Sequence, residues 1–163
     1  MQPPKKKYIS ADEALRKLQS YCAYQERCQQ EVKAKLIELG VYGDTVDIIM
    51  GQLIEDNFLN EERFAIMYAG GKFRVKQWGR VRIKQELKQR QISEYCIKKA
   101  MQEIPEDDYR KTLTLVLEKK KESSTENDIR LIRQKLISYG LQRGYEIALV
   151  TEICGQIIQQ SDK

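Results

Sequence analysis

Proline occurs only at Pro3, Pro4 and Pro105, so one hundred consecutive residues contain nothing that forces a helix to break. Glycine is also sparse, at 9 in 163 residues. A β-sandwich needs turn signals about every 8–12 residues, and this chain does not supply them. Its apolar residues recur instead at intervals of three and four. Leu15, Leu18 and Cys22 do so, then Val32, Leu36 and Leu39, then Val46, Ile49, Met50, Leu53 and Ile54. That is the period of a helix with one apolar face. The positions between are mostly Glu, Lys, Gln and Arg, which lose little rotamer freedom in a helix. The chain is expected to be all-α.

Helix ends are legible as well. Ser10 with Glu13 forms a capping box. Asn60 ahead of Glu61 and Glu62, and Ser93 ahead of Glu94, combine a cap with first-turn acids that oppose the helix dipole. Pro105 before Glu106, Asp107 and Asp108 starts a helix where a missing N–H is harmless. Gly40 and Gly140 suit left-handed C-terminal caps. These signals predict nine helices, at 11–24, 28–39, 44–56, 61–76, 79–90, 94–103, 106–122, 127–139 and 143–159.

The nine fall into three sets of three. Leu36, Leu87 and Leu136 align, with Val32, Ile83 and Ile132 four residues before them. Gly40, Gln91 and Gly140 stand four after, followed by Val41, Ile92 and Leu141. Ile49, Ala100 and Leu149 match further on, as do Leu53, Ile104 and Ile153; Leu15, Ile66 and Leu115 match upstream. The expected organisation is a disordered basic tail over 1–10 and three-helix repeats over 11–59, 60–104 and 105–160. Each repeat is too small to bury much apolar surface alone, so an elongated tandem array is expected.

The chain has no histidine, which removes His-based triads and His–metal sites. Cys22, Cys28, Cys96 and Cys154 include no C-x-x-C pair, so no familiar zinc pattern can be assembled. A Cys22–Cys28 disulfide stays open, but burial statistics favour free thiols packed as small apolar side chains. No catalytic, cofactor or metal site is expected, and the chain reads as a non-enzyme. Gly70-Gly71-Lys72 lacks the spacing of a phosphate loop and sits in a helical pattern, so it is expected to mark a kink or a close helix approach. Residues 1–7 have no apolar segment behind them, and no run approaches the length of a membrane span. A cytoplasmic location and no membrane partner are expected.

The net charge of +5 is unevenly spread. Residues 1–59 hold 8 basic and 9 acidic side chains, residues 60–92 hold 9 and 3, and residues 93–163 hold 12 and 12. The surplus lies in Lys72, Arg74, Lys76, Arg80, Arg82, Lys84, Lys88 and Arg90, which with Trp78 are the candidate partner- or DNA-binding residues. Arg80, Lys84 and Lys88 are spaced by four and form one stripe, while Ile83 and Leu87 face inward. A basic stripe beside a helix N-terminus suits phosphates or an acidic protein surface; the plainer alternative is a solvated face with pairs such as Arg82–Glu86. Trp78 suits either packing or a partner contact. Tyr21, Tyr24, Tyr68 and Phe73 suit either base stacking or the core.

Two segments resemble the RecX family of recombination regulators. Phe58-Leu59-Asn60-Glu61-Glu62-Arg63-Phe64-Ala65 is similar to the family's G-[LY]-[LI]-[DN]-[DE]-x-x-[FY]-A, and Trp78-Gly79-Arg80-Val81-Arg82-Ile83-Lys84-Gln85-Glu86-Leu87 to its G-x-x-[RK]-[IL]-x-x-E-L. With Ala14-Leu15, Glu31-Val32, Leu36 and Gly40, the resemblance extends over residues 11–158. Asn57 and Gln91 stand where the family usually has glycine, and Cys28 where it often has serine. The resemblance implies a curved all-α array that binds the RecA recombinase, lies along the groove of the RecA–DNA filament, and modulates, with inhibition the main expectation, its recombinase and ATPase activity; a monomer that contacts DNA weakly or through the filament is expected. Charge reversal at Arg80 and Lys84 is then expected to weaken binding and leave helicity intact. The alternatives are a direct DNA-binding helical module, with Ile97-Lys98-Lys99 as the nearest reading helix, and a non-catalytic interaction scaffold.

Overall fold

The computed structural model describes residues 8–161. Among these residues it holds nine α-helices and no strand. The helices are α1 (Ala11–Tyr24), α2 (Gln29–Glu38), α3 (Asp44–Glu55), α4 (Glu61–Lys76), α5 (Arg80–Gln89), α6 (Glu94–Gln102), α7 (Glu106–Glu122), α8 (Ile129–Gln142) and α9 (Ile147–Ser161). Of the tail expected at 1–10, the first seven positions lie outside the described residues.

The caps explain the boundaries. Ser10 Oγ accepts from the Glu13 amide at 3.1 Å, Asn60 Oδ1 from the Arg63 amide at 2.8 Å, and Ser93 Oγ from the Cys96 amide at 3.3 Å. Each satisfies one orphan N–H of a helix start. Helix α2 ends at Gly40, whose φ of +83° lets the Val41 amide reach back to the Leu36 carbonyl at 2.9 Å. Asn57 and Gln91 take the same left-handed conformation, at φ +63° and +60°, although neither is glycine. Gln77 does so after α4, at φ +56°.

Of the described residues, those up to Phe64 together with 90–92 form one compact unit. Helices α1, α2 and α3 close around Ala14, Leu18, Val32, Leu36, Ile49 and Leu53, all at least 97% buried. Full burial of each leucine contributes about 1.5–3 kcal/mol. Arg63 Nε donates to Glu26 Oε1 at 2.5 Å and its Nη2 to the Asn57 carbonyl at 2.9 Å, which holds the first turn of α4 against this core.

The remaining described residues, from Ala65 to Gln89 and from Ser93 onward, form the second unit. Helices α7, α8 and α9 pack on one another through Leu113, Leu117, Leu136, Val150, Ile153 and Cys154, and α5 adds Ile83 and Leu87 to the buried set. Tyr109 is fully buried, with its ring centroid 5.9 Å from Phe73 and 5.1 Å from Tyr145. Phe73 is therefore core and does not offer a stacking face.

The third triplet departs from the repeat register expected of it. Gly140 does not end α8; it is helical and buried, with a Val150 methyl 2.7 Å from where a Cβ would stand. The left-handed residue is Gly144, at φ +93°, and the Tyr145 amide reaches back to the Gly140 carbonyl at 3.0 Å. The middle helix thus runs one turn further, and α9 starts at Ile147 rather than at residue 143. Counted from the left-handed residue, Gly140 occupies the place of Leu36, and Tyr145 the place of Val41. Leu141, expected beneath the cap, is 41% exposed, whereas Tyr145 is 1% exposed. Val150 takes the space that Gly140 leaves open, and Tyr145 packs against the Tyr109 ring.

The glycine pair in α4 brings no second helix close. The helix is continuous, Gly71 has open space at its Cβ position, and Gly70 lies under the guanidinium of Arg74 from its own helix. All four cysteines are buried free thiols. Burial pushes the thiols of Cys22, Cys28 and Cys154 above the ordinary value of 9.0.

Candidate partner-binding surface

The candidate surface is built where α4 ends, the chain turns through 77–79, and α5 begins. The turn is tight because Gln77 is left-handed and Gly79 admits a backbone contact. A Cβ on Gly79 would stand 2.2 Å from the Gly144 carbonyl oxygen. The Gly79 amide instead donates to the Arg143 carbonyl and the Val81 amide to the Gly144 carbonyl, both at 2.9 Å. The Arg80 amide donates to Tyr109 Oη at 3.0 Å. The amides of Gly79, Arg80 and Val81 at the start of α5, expected beside the basic stripe as a phosphate cradle, are thus consumed inside the protein.

Arg80 is turned inward as well. Its guanidinium lies 3.7 Å from the Tyr109 ring centroid, pairs with Glu106 at 2.5 Å and stands 3.6 Å from a Glu146 oxygen. Tyr109 Oη in turn donates to Glu146 Oε1. Burial first, and then this hydrogen bond to Glu146, raise the Tyr109 phenol above its ordinary 10.0. Tyr145 Oη donates to the Gln77 carbonyl at 2.9 Å, and Arg143 Nη2 to the Lys76 carbonyl. Burial likewise raises the Tyr145 phenol above 10.0. Sequence reasoning missed this clamp of Tyr109, Arg143, Tyr145 and Glu146. Its members lie 29 to 68 residues from the groups they hold, and no local pattern marks them.

The other candidates fall in different settings. Trp78 is half-buried, with Arg82 at 4.0 Å and Lys72 at 4.9 Å from a ring centroid. Lys72 also lies 5.4 Å from the Tyr68 ring. Lys72, Trp78 and Arg82 therefore form a cation–aromatic cluster. Arg74, Lys76 and Lys84 are exposed, and Lys88 is exposed with Glu94 at 3.5 Å. Arg90 groups with the first unit, where it lines a cleft with Gln29, Lys33 and Glu61. Of the stripe expected on α5, Lys84 and Lys88 face solvent, while Arg80 is covered by two acids.

Among the described residues no cluster of three or more Cys, Asp or Glu is placed to hold a metal ion, and no helix is long and apolar enough to cross a membrane. Of the aromatics outside the cluster, Tyr24 is exposed, and Tyr21 lies beneath the Arg27 guanidinium at 3.7 Å.

Residues 60–101, which hold α4, α5 and almost all of α6, match the family model described as RecX, second three-helix domain. The chain carries a RecX-family domain. The regulatory protein RecX of Bacillus cytotoxicus is 27% identical over 135 residues, covering 83% of this chain and 50% of that protein. Its counterpart in Bacillus cereus is 26% identical over the same shares. The chain spans about half the length of these curated relatives. A crystal structure of RecX from Lactobacillus salivarius superposes with a TM-score of 0.81 at 21% identity, over 93% of this chain and 96% of that one. A second RecX crystal structure gives 0.80 at 20% identity, over 88% and 72%. The RecX resemblance read from the two motifs is confirmed, and the RecX-type fold extends over nearly the whole chain.

Proposed function

We propose that this chain is a regulatory protein that binds the RecA recombinase filament and inhibits its recombinase and ATPase activity during DNA repair, in the cytoplasm and as a monomer. The RecX domain at residues 60–101 carries this reading. The contact surface is assigned to Arg74, Lys76, Lys84 and Lys88, with Lys72, Trp78 and Arg82 presenting the cation–aromatic cluster. These cations suit an anionic filament, since each phosphate neutralised releases condensed counterions. Arg80 serves the reading indirectly, by holding the start of α5 in place.

The test is retention of the purified chain on RecA filaments, with and without DNA, alongside DNA-stimulated ATP hydrolysis. The expected result is retention on filaments and loss of hydrolysis at substoichiometric chain. Lys76→Glu with Lys84→Glu should weaken both without lowering the melting temperature. Inhibition only near saturation of the DNA would indicate a plain DNA competitor. Retention on neither filament nor DNA would leave the scaffold reading.

A further inference from the structure

A second cationic feature lies in the third triplet, away from the segment that holds the net charge. The C-terminal turn of α7, the loop after it and the facing side of α8 enclose a groove of about 630 Å³. Ligand sites commonly occupy about 300–1,000 Å³, so the groove has the size of a small-molecule site. Its floor is apolar, from Ile132 and Leu136. Its walls bring Lys120, Lys121 and Lys135 together with the hydroxyls of Ser124 and Ser138. Tyr139 lines the same space, and the Lys120 ammonium stands 4.9 Å from its ring centroid.

Helix geometry accounts for only part of this charge. The C-terminus of α7 carries about half a negative elementary charge, whereas its last turn holds Lys119, Lys120 and Lys121 against Glu122. Lys120 and Lys121, the two of these that line the groove, exceed the half charge of the dipole. Lys135 is drawn 3.8 Å from Glu126, whose Oε1 also accepts from the Asn127 and Asp128 amides at 3.2 Å each. Lys121 donates to Ser161 Oγ. Lys120 rests on the aromatic face. The groove therefore offers ammonium groups, hydroxyl donors and a flat ring beside an apolar floor. That set matches a ligand with a phosphate at one end and a planar base at the other.

We propose that this groove binds one nucleotide, free or as a unit of a nucleic-acid strand, with its base on the Tyr139 face in place of the Lys120 ammonium and its phosphate between Lys120, swung off the ring, and Lys135. A carboxylate-rich peptide would satisfy the lysines but leave the ring and the floor unused. Inorganic phosphate would do the same. The site is independent of α4 and α5, so it stands or falls apart from recombinase binding.

The experiment is an NMR titration of the isotope-labelled full chain with dAMP, hexadeoxyadenylate, inorganic phosphate and hexaglutamate. Saturable shifts confined to residues 120–142 are expected with dAMP, and weaker ones with phosphate. Tighter binding of hexadeoxyadenylate at the same residues would identify a strand as the source, and equal binding a free nucleotide. Tyr139→Leu should weaken dAMP binding about tenfold through lost stacking, and Lys120→Gln with Lys135→Gln should weaken it further. Tyr139→Phe keeps the ring and should bind as the parent does, with dispersed spectra reporting that each variant is folded. Hexaglutamate binding as tightly as dAMP, unchanged affinity in folded Tyr139→Leu, or no saturable shift at 120–142 would each overturn the proposal.

Discussion

Arg80 is the residue on which sequence and structure assign opposite roles, and a stability measurement separates them. If it were a solvated member of a partner-binding stripe, its removal would change stability by less than about 0.5 kcal/mol. The structure instead places its guanidinium on the buried Tyr109 ring at 3.7 Å and against Glu106 at 2.5 Å. Stacking in a partly desolvated site contributes about 1 kcal/mol. A charge-assisted hydrogen bond adds about 1.5 kcal/mol at most, discounted because Glu106 is 62% exposed. Arg80→Ala should thus cost about 2 kcal/mol. In a chain of this size each kcal/mol moves the melting temperature by about 2–4 °C, so a fall of about 4–8 °C is expected by circular dichroism. Arg80→Lys keeps the charge and loses the planar stacking, and should fall about half as far. Lys84→Ala is the exposed control and should stay within about 1 °C. Equal melting temperatures for Arg80→Ala and Lys84→Ala would refute the clamp. The same geometry corrects the charge-reversal expectation. A glutamate at position 80 would face Glu106 and Glu146, so Arg80→Glu with Lys84→Glu would confound lost binding with lost structure.

Four other outcomes follow from the packing. Tyr109 and Tyr145 are both raised above 10.0, so the folded state holds their protons more tightly than the unfolded chain does. Their stabilisation is complete below pH 10 and declines above it, by up to about 1.4 kcal/mol per pH unit for each group; Tyr145→Phe should flatten the fall in urea midpoint between pH 10 and 11, and an unchanged slope would contradict the assignment. Gln91 sits at φ +60° where glycine carries no Cβ penalty, so Gln91→Gly should raise stability by roughly 0.5–1 kcal/mol. Gly79→Ala should instead cost more than about 3 kcal/mol, since its Cβ would meet the Gly144 backbone at 2.2 Å; parental melting would show that the turn shifts freely. Cys22, Cys28 and Cys154 are buried with raised thiol values, so a thiol reagent should label them slowly in buffer and rapidly in urea.

The sequence by itself determined the helices of the first two triplets, because their ends depend on neighbours within a turn or two. The i, i+3, i+4 spacing of Leu15, Leu18 and Cys22 and the side chains of Ser10, Asn60 and Ser93 act locally, and the structure places α1, α4 and α6 where those signals put them. The motifs around Asn60 and Gly79 were likewise legible, and they identify the domain at 60–101. Tertiary structure alone decided which cations remain outside. Arg80 and Lys84 are one helical turn apart and equivalent in sequence, yet only Arg80 meets acids from α7 and from the segment before α9. Tertiary structure also decided the third register. Gly140 and Gly144 both carry glycine's freedom, and what selects Gly144 as the helix end is Val150 pressed on Gly140 and Tyr145 filling the core beyond it. A local pattern specifies what a residue is able to do, while the groups brought to it from distant segments determine what it does.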